Sequence, residues 1–305
     1  MKHYVELFLG YMEYENASQH TLRKYKSNLE SFVDFVESLG VSHIADIKTM
    51  HIDLYQADSF KKGNGSNTLV NKISVLRSFF SYLESREHIG TNPMQKIKTV
   101  KVKDQDRKPK ENLTLKEAMR LIDMVEKNSI PYLRLRNKVL ILSFLFFGIR
   151  VSELCHLKTE DISFSNKTVY IKGGKNGKDR EVPLFDEIIP YFKTYIQANK
   201  KKGEFLFTRK KTNEPLTERA ALSIVKHHAK KARIYKNIGC HSLRRTSATL
   251  LLEAGVDLRK IQMFLGHSSI NTTMIYLNID SERMKQEIRS KSILSKELKK
   301  QQGRD

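Results

Sequence analysis

Six polar side chains are spread through the second half of the sequence: Arg150, Lys175, His241, Arg244, His267 and Tyr276. Their types suit phosphoryl transfer. A transferring phosphoryl group spreads charge over its equatorial oxygens. A planar, permanently charged guanidinium can grip two of those oxygens at once. Arg150 and Arg244 are therefore candidates for holding a phosphate. A tyrosine phenol can attack phosphorus, and the phosphotyrosine so formed keeps the bond energy for rejoining, with no need for ATP. A histidine can move the phenol proton or hydrogen-bond a phosphate oxygen. A lysine at a mobile hairpin tip can protonate the leaving oxygen. Lys172, Lys175 and Lys178 share that hairpin, and spacing alone does not choose among them. If the six converge, the protein cuts and rejoins a phosphodiester without a metal. Each residue taken singly also has a structural reading: a solvated arginine, a turn lysine, a capping histidine, a half-buried tyrosine.

The elements that must position these groups fall into two regions. Residues 1–95 read as an all-helical domain and a candidate for binding DNA. Ser18 precedes an amphipathic stretch with Leu22, Tyr25, Leu29, Phe32, Val33 and Val36, and Gly40 follows it. A second helix lies near Met50 to Phe60. A third, from Asn67 to Glu84, has an apolar stripe of Leu69, Ile73, Leu76, Phe80 and Leu83. Its other face carries Asn67, Asn71, Ser74 and Ser78, edged by Lys72 and Arg77. That face fits a DNA groove or an ordinary solvated surface equally well. Residues 96–111 are strongly basic and lack a helical stripe, so they read as an interdomain linker able to follow a DNA backbone between domains on opposite sides of a duplex.

Residues 112–290 read as a mixed domain, mainly helical with one small antiparallel sheet. Thr114 to Glu117 is a capping box. Pro131 opens a helix whose apolar run ends at Gly148, just before Arg150. Ile162–Phe164, Val169–Ile171 and Glu181–Leu184 read as three short strands, the last two joined by the loop Gly173–Gly177. Helices follow over Thr217–Arg233, with Lys226 and Lys230 on the exposed side, and over His241–Glu253, Asp257–Leu265, Ile270–Leu277 and Ser281–Glu297. Residues 291–305 read as a polar tail.

The 305 residues suffice for two cores. Fifty-five Lys and Arg against 34 Asp and Glu leave a formal charge of +21, which favours a polyanionic partner, nucleic acid before membrane. The longest apolar run, 139–148, is too short to cross a bilayer. The N-terminus lacks the marks of a signal peptide. Two cysteines support neither a disulfide framework nor a zinc cluster, the histidines lack metal-ligand spacing, and no nucleotide loop is present. Cofactors are therefore not expected, and a cytoplasmic, DNA-associated location is.

The blocks GIRVSELCHLKTEDI, HSLRRTSATLLLEAG, IQMFLGHSSINTTMIY and GGKNGKDREVPL, in this order, resemble the tyrosine recombinase (phage integrase) family. Length and layout are most similar to its Xer-type subgroup. The resemblance implies a site-specific recombinase that breaks and rejoins DNA through a 3′-phosphotyrosine and a Holliday junction, for dimer resolution or for integration and excision of a mobile element. Tyr276 would be the nucleophile. Arg150 and Arg244 would bind the scissile phosphate, Lys175 would be the general acid, and His241 and His267 would serve proton transfer and phosphate binding. Glu153 would support the site from behind. The partners implied are a duplex DNA site and a homotetramer spanning two sites, with Ser281–Glu297 docking on a neighbouring protomer. The family's usual H-x-L-R-H reads with Arg245 in its last place here, which bears on local packing or on a DNA contact. A type IB topoisomerase shares the chemistry, but the two-domain layout and the LGHSSINTTMIY block argue against it. A non-catalytic binding module would need only the charge, and cleavage separates it from the recombinase.

Overall fold

The structure is a computed structural model that describes residues 1–98, 111–127, 130–173, 179–199, 204–209, 212–266 and 281–302, without the side chains of 281–283. The chain divides into two compact units, Met1–Pro109 and Lys110–Asp305.

The N-terminal unit is helical throughout. It contains α1 (Lys2–Tyr14), α2 (Gln19–Ser38), α3 (Thr49–Lys61) and α4 (Ser66–Ser85). Ser18 caps α2, its side chain accepting the Thr21 N–H at 3.2 Å. The three-four spacing of Leu29, Phe32, Val33 and Val36 puts all four on the buried face of α2. The stripe on α4 is buried likewise, and Val75 and Phe79 widen it. The two helices meet where Phe32 presents its edge to Phe80, ring centroids 5.9 Å apart. The chain's exit is fastened to this core: Ile97 is buried, and Arg77 donates to its carbonyl at 2.9 Å. The first linker residues, 96–98, thus belong physically to the N-terminal unit.

The C-terminal unit is built around α6 (Pro131–Phe147), in which every residue from Asn137 to Phe147 is buried. A helix apolar on all sides needs neighbours on all sides. These are α5 (Leu115–Glu126), α8 (Ile189–Asn199), α9 (Glu218–Lys231) and α10 (Cys240–Glu253). Thr114 and Glu117 form the reciprocal capping box, at 3.2 and 2.8 Å. The one cation inside this stretch, Lys138, pairs with Glu126 and lies 3.8 Å from the Tyr191 ring centre. A short α7 (Val151–Cys155) leads to a sheet of order β1-β2-β3, with β1 Ile162–Ser163, β2 Thr168–Ile171 and β3 Arg180–Pro183. The strands are antiparallel, and Val169 opposes Val182. Val169 and Ile171 face the core while Tyr170 faces out, as period-two alternation requires. The loop expected at Gly173–Gly177 lies largely outside the described residues, as does the expected helix Ile270–Leu277.

Next come α11 (Leu258–Leu265), α12 (Ser281–Lys291) and α13 (Ile293–Gln302). Here the structure departs from expectation. Ser281–Glu297 is not one helix, and the residues after 291 are not simply a polar tail. Ser292 interrupts the run, and its hydroxyl accepts the Ser295 N–H at 3.2 Å, capping a new helix. Met284, Ile288, Leu294 and Leu298 from these two helices are buried in the core of the same unit. The composition of 291–302 is polar, but its sparse leucines fall on one helical face.

Candidate active site

Arg150 follows directly on the end of α6. Gly148 closes that helix in the left-handed region (φ 54°), and a Cβ there would stand 2.7 Å from a Leu265 methyl and 2.9 Å from the Phe264 ring. Only glycine lets the end of α6 and the end of α11 come this close. Glu153, one turn into α7, accepts the Arg150 backbone N–H at 2.8 Å and its guanidinium at 2.6 Å. The same carboxylate receives both terminal nitrogens of Arg180, from β3, at 3.0 and 2.9 Å. Arg244 rises from α10, its Nη1 3.9 Å from a Glu153 oxygen.

The last carbonyls of α11 tie this cluster together. Arg180 donates to Phe264 O at 2.9 Å, Arg244 to Leu265 O at 2.6 Å, and Arg150 to Gly266 O at 2.9 Å. Arg244 also donates to Gly148 O at 2.6 Å. A helix C-terminus leaves carbonyls unsatisfied and carries partial negative charge, so cations settle there. Three consecutive carbonyls, each held by an arginine from a different element, fix the helix end that leads into residue 267. Gly266 is left-handed (φ 66°), and a Cβ on it would meet the Arg180 guanidinium at 3.0 Å. The glycine of the LGH block is thus required by an arginine of the sheet.

The electrostatics follow from burial. The Glu153 side chain is 1% exposed. Burial would raise its pKa, but Arg180, and after it Arg150, draw it down to about 2. Arg244 is buried, and burial, with Arg150 and Arg180 close by, pushes its pKa down, though a guanidinium stays protonated at neutral pH. Three guanidinium cations against one carboxylate leave a net positive pocket. His241, one turn before Arg244, is exposed, and its pKa is lowered by partial burial, then by Arg244, Arg245 and Arg150. That shift favours the neutral imidazole, the form that can accept a proton. The thiols of Cys155 and Cys240 are pushed up by burial to about 12 and are poor nucleophiles.

Arg150, Arg244, His241 and Glu153 thus fall together. Lys175, His267 and Tyr276 lie outside the described residues. Of the hairpin's other lysines, Lys172 is committed elsewhere: its ammonium sits 2.6 Å from Asp161, which raises its pKa. At the base of the hairpin, Asp179 accepts from the Gly173 N–H and the Tyr170 hydroxyl, both at 2.9 Å. Among the groove candidates, Asn71 is exposed, but Lys72 bonds Ser59 Oγ at 3.2 Å and Arg77 bonds Ile97 O. Lys226 and Lys230 are exposed on α9. Arg245 fastens the chain entering this unit: it donates to Glu111 O at 2.7 Å, and the next residue's hydroxyl, on Thr246, accepts the Leu113 N–H at 2.8 Å.

Arg180 was not among the residues singled out from sequence. It stands in a hairpin with several cations, and nothing in its local pattern marks it as the one turned inward. The available signal is its place at the first residue of a strand whose next core position is Val182.

The buried carboxylate predicts an acid limb of stability. Glu153 titrates near 4.5 when unfolded and about 2 when folded. Its contribution is therefore complete above the unfolded value and is lost as pH falls toward the folded one. The shift corresponds to about 3 kcal/mol. Urea unfolding followed by circular dichroism should show that loss between about pH 5 and about pH 2. Glu153→Gln should flatten this limb, starting from a less stable protein because a buried ion network has been broken.

A helical unit is thus followed by a mixed unit whose arginines converge on one helix end, a cationic pocket suited to an anion such as a phosphate. The chain belongs to the phage integrase family: residues 111–283 match that family and residues 5–87 match its N-terminal SAM-like domain. Tyrosine recombinase XerC of Oceanobacillus iheyensis is 31% identical, over 93% of each chain. A tyrosine recombinase of Pseudothermotoga lettingae is 35% identical, over 93% of this chain and 96% of its own. Among solved structures, the XerH site-specific recombinase bound to a palindromic difH substrate, a post-cleavage complex, superposes with TM-score 0.71 at 26% identity, covering 89% of this chain and 80% of that one.

Proposed function

We propose that this protein is a site-specific recombinase that breaks and rejoins duplex DNA through a 3′-phosphotyrosine at Tyr276. The observation that carries the proposal is the Arg150–Arg244 pair, held by Glu153 and the end of α11 directly before the segment containing His267 and Tyr276. Such preorganised donors stabilise the charge of a phosphoryl transition state without reorganising. The Tyr276 oxygen forms a bond to phosphorus as the bond from phosphorus to the 5′ oxygen breaks. Neutral His241 takes the phenol proton, Lys175 supplies a proton to the departing 5′ oxygen, and His267 hydrogen-bonds a non-bridging oxygen. Attack by a 5′ hydroxyl reverses the sequence and rejoins the strand. Two strand exchanges in a homotetramer on two DNA sites pass through a Holliday junction, in the cytoplasm of a prokaryote. In that assembly Ser281–Glu297 docks on a neighbouring protomer. Within the isolated chain α12 lies on its own unit, with Met284 and Ile288 buried in the core and Lys285 paired to Glu181 at 2.9 Å, so docking on a neighbour requires these contacts to be exchanged for equivalent ones there.

Nicked duplexes drawn from the DNA flanking the gene test the reading. Mixed with the protein, they should yield a detergent-stable adduct, and mass spectrometry of its peptides should place the nucleotide on Tyr276. Duplexes that bind without any adduct forming would sink it. A second expectation concerns α9. Reversing Lys226 and Lys230 to glutamate should weaken binding of the cleaved duplex and flatten the plot of log affinity against log salt by about 2, roughly one unit per lost phosphate contact. An unchanged slope would remove these lysines from the DNA surface.

A further inference from the structure

We propose that Arg180 is a positioning residue for the phosphate-binding arginines, acting on them through Glu153 and through the end of α11. The inference rests on the site assignment above. Arg180 commits all three guanidinium nitrogens to two partners: a bidentate pair to Glu153 at 3.0 and 2.9 Å, and Nε to Phe264 O at 2.9 Å. Its side chain is 9% exposed, so it takes no direct part at the DNA surface. What it controls is the charge and aim of its neighbours. Glu153 also grips Arg150 and approaches Arg244 at 3.9 Å. Without Arg180, both oxygens of that buried carboxylate would turn to the other two guanidinium groups. These would then be held for Glu153 rather than for the phosphate, and the pocket would lose one positive charge. Arg180 also completes the row of arginines on Phe264, Leu265 and Gly266, the turn that feeds directly into residue 267. A lysine cannot reproduce three directed bonds from one planar fork.

The test is single-turnover cleavage of the mapped duplex under saturating enzyme, with either a normal scissile phosphate or a methylphosphonate, which lacks one anionic oxygen. Arg180→Gln should lower the cleavage rate on normal DNA by about 10²-fold while changing affinity less than about threefold. Arg180→Lys should fall between, roughly tenfold down. On the methylphosphonate the Arg180→Gln deficit should shrink to within about fivefold, because the charge the arginines are aimed at is gone. Adding Glu153→Gln to Arg180→Gln should cost little beyond either change alone, since the two act as one unit. An equal deficit on both substrates, or additive losses in the double variant, would mean a merely structural role and overturn the inference. Should Arg180→Gln fail to fold, Arg180→Lys decides: a rate within about twofold of wild type on normal DNA overturns the proposal. Wild-type protein that cleaves neither duplex would overturn the proposed function and this inference with it, whereas wild-type cleavage with unimpaired Arg180 variants overturns the inference alone.

Discussion

Tyr276→Phe is expected to abolish the covalent adduct, lowering strand cleavage by at least about 10⁴-fold while DNA binding stays within about threefold of wild type. Phenylalanine keeps the ring and removes only the oxygen that bonds to phosphorus in the proposed reaction. Cys155 and Cys240 are buried, with thiols pushed up to about 12, so neither thiol stands in for the phenol. The adduct is scored on a denaturing gel with nicked DNA, and binding by gel shift with the same duplex. An adduct of normal yield in Tyr276→Phe would move the nucleophile to another residue and undo the site as assigned.

Arg244→Ala is expected to reduce cleavage by about 10³-fold, with affinity changed only a few fold because the remaining phosphate contacts persist. The size of the effect comes from its double duty. Arg244 supplies charge to the pocket, and its two terminal nitrogens satisfy Gly148 O and Leu265 O at 2.6 Å each. Truncation leaves those buried carbonyls without their partner, at a cost of about 1–3 kcal/mol apiece, so a lower melting temperature should accompany the lost rate. Arg244→Lys separates the two roles. It restores a charge but reaches only one of the two carbonyls, so it should recover stability more than rate. A rate near wild type for Arg244→Lys would show that charge alone matters and that the guanidinium's fork does not.

The two arginines and Glu153 also explain why parts of the family signature read as they do. The glycine before Ile149-Arg150 is demanded by the side chains of Phe264 and Leu265, and the glycine of LGH by Arg180. These constraints act between segments 86 to 117 positions apart in the chain. Arg245, in a place the family usually gives to histidine, is accounted for by its bond to Glu111 O, where the chain enters the C-terminal unit.

Short-range features were legible from residues alone. The spacing on α2 and α4, the caps at Ser18 and Thr114, the apolar run of α6 and the paired strands all follow from interactions within a few positions. The break at Ser292 was missed because a single hydroxyl cap competes with a helical pattern that runs through it. The tail beyond it was misread because its few leucines gain their value only from the core they enter. Arg180 was missed for a related reason. Its partners, Glu153 and Phe264 O, lie 27 and 84 positions away, and its worth comes from desolvation beside them. Periodicity, capping and charge are local properties of the chain, so order along the sequence suffices to specify the elements and the chemical repertoire. Which guanidinium pairs with Glu153 and which helix end receives all three is set by long-range packing, because only burial turns a solvated charge into a directed one.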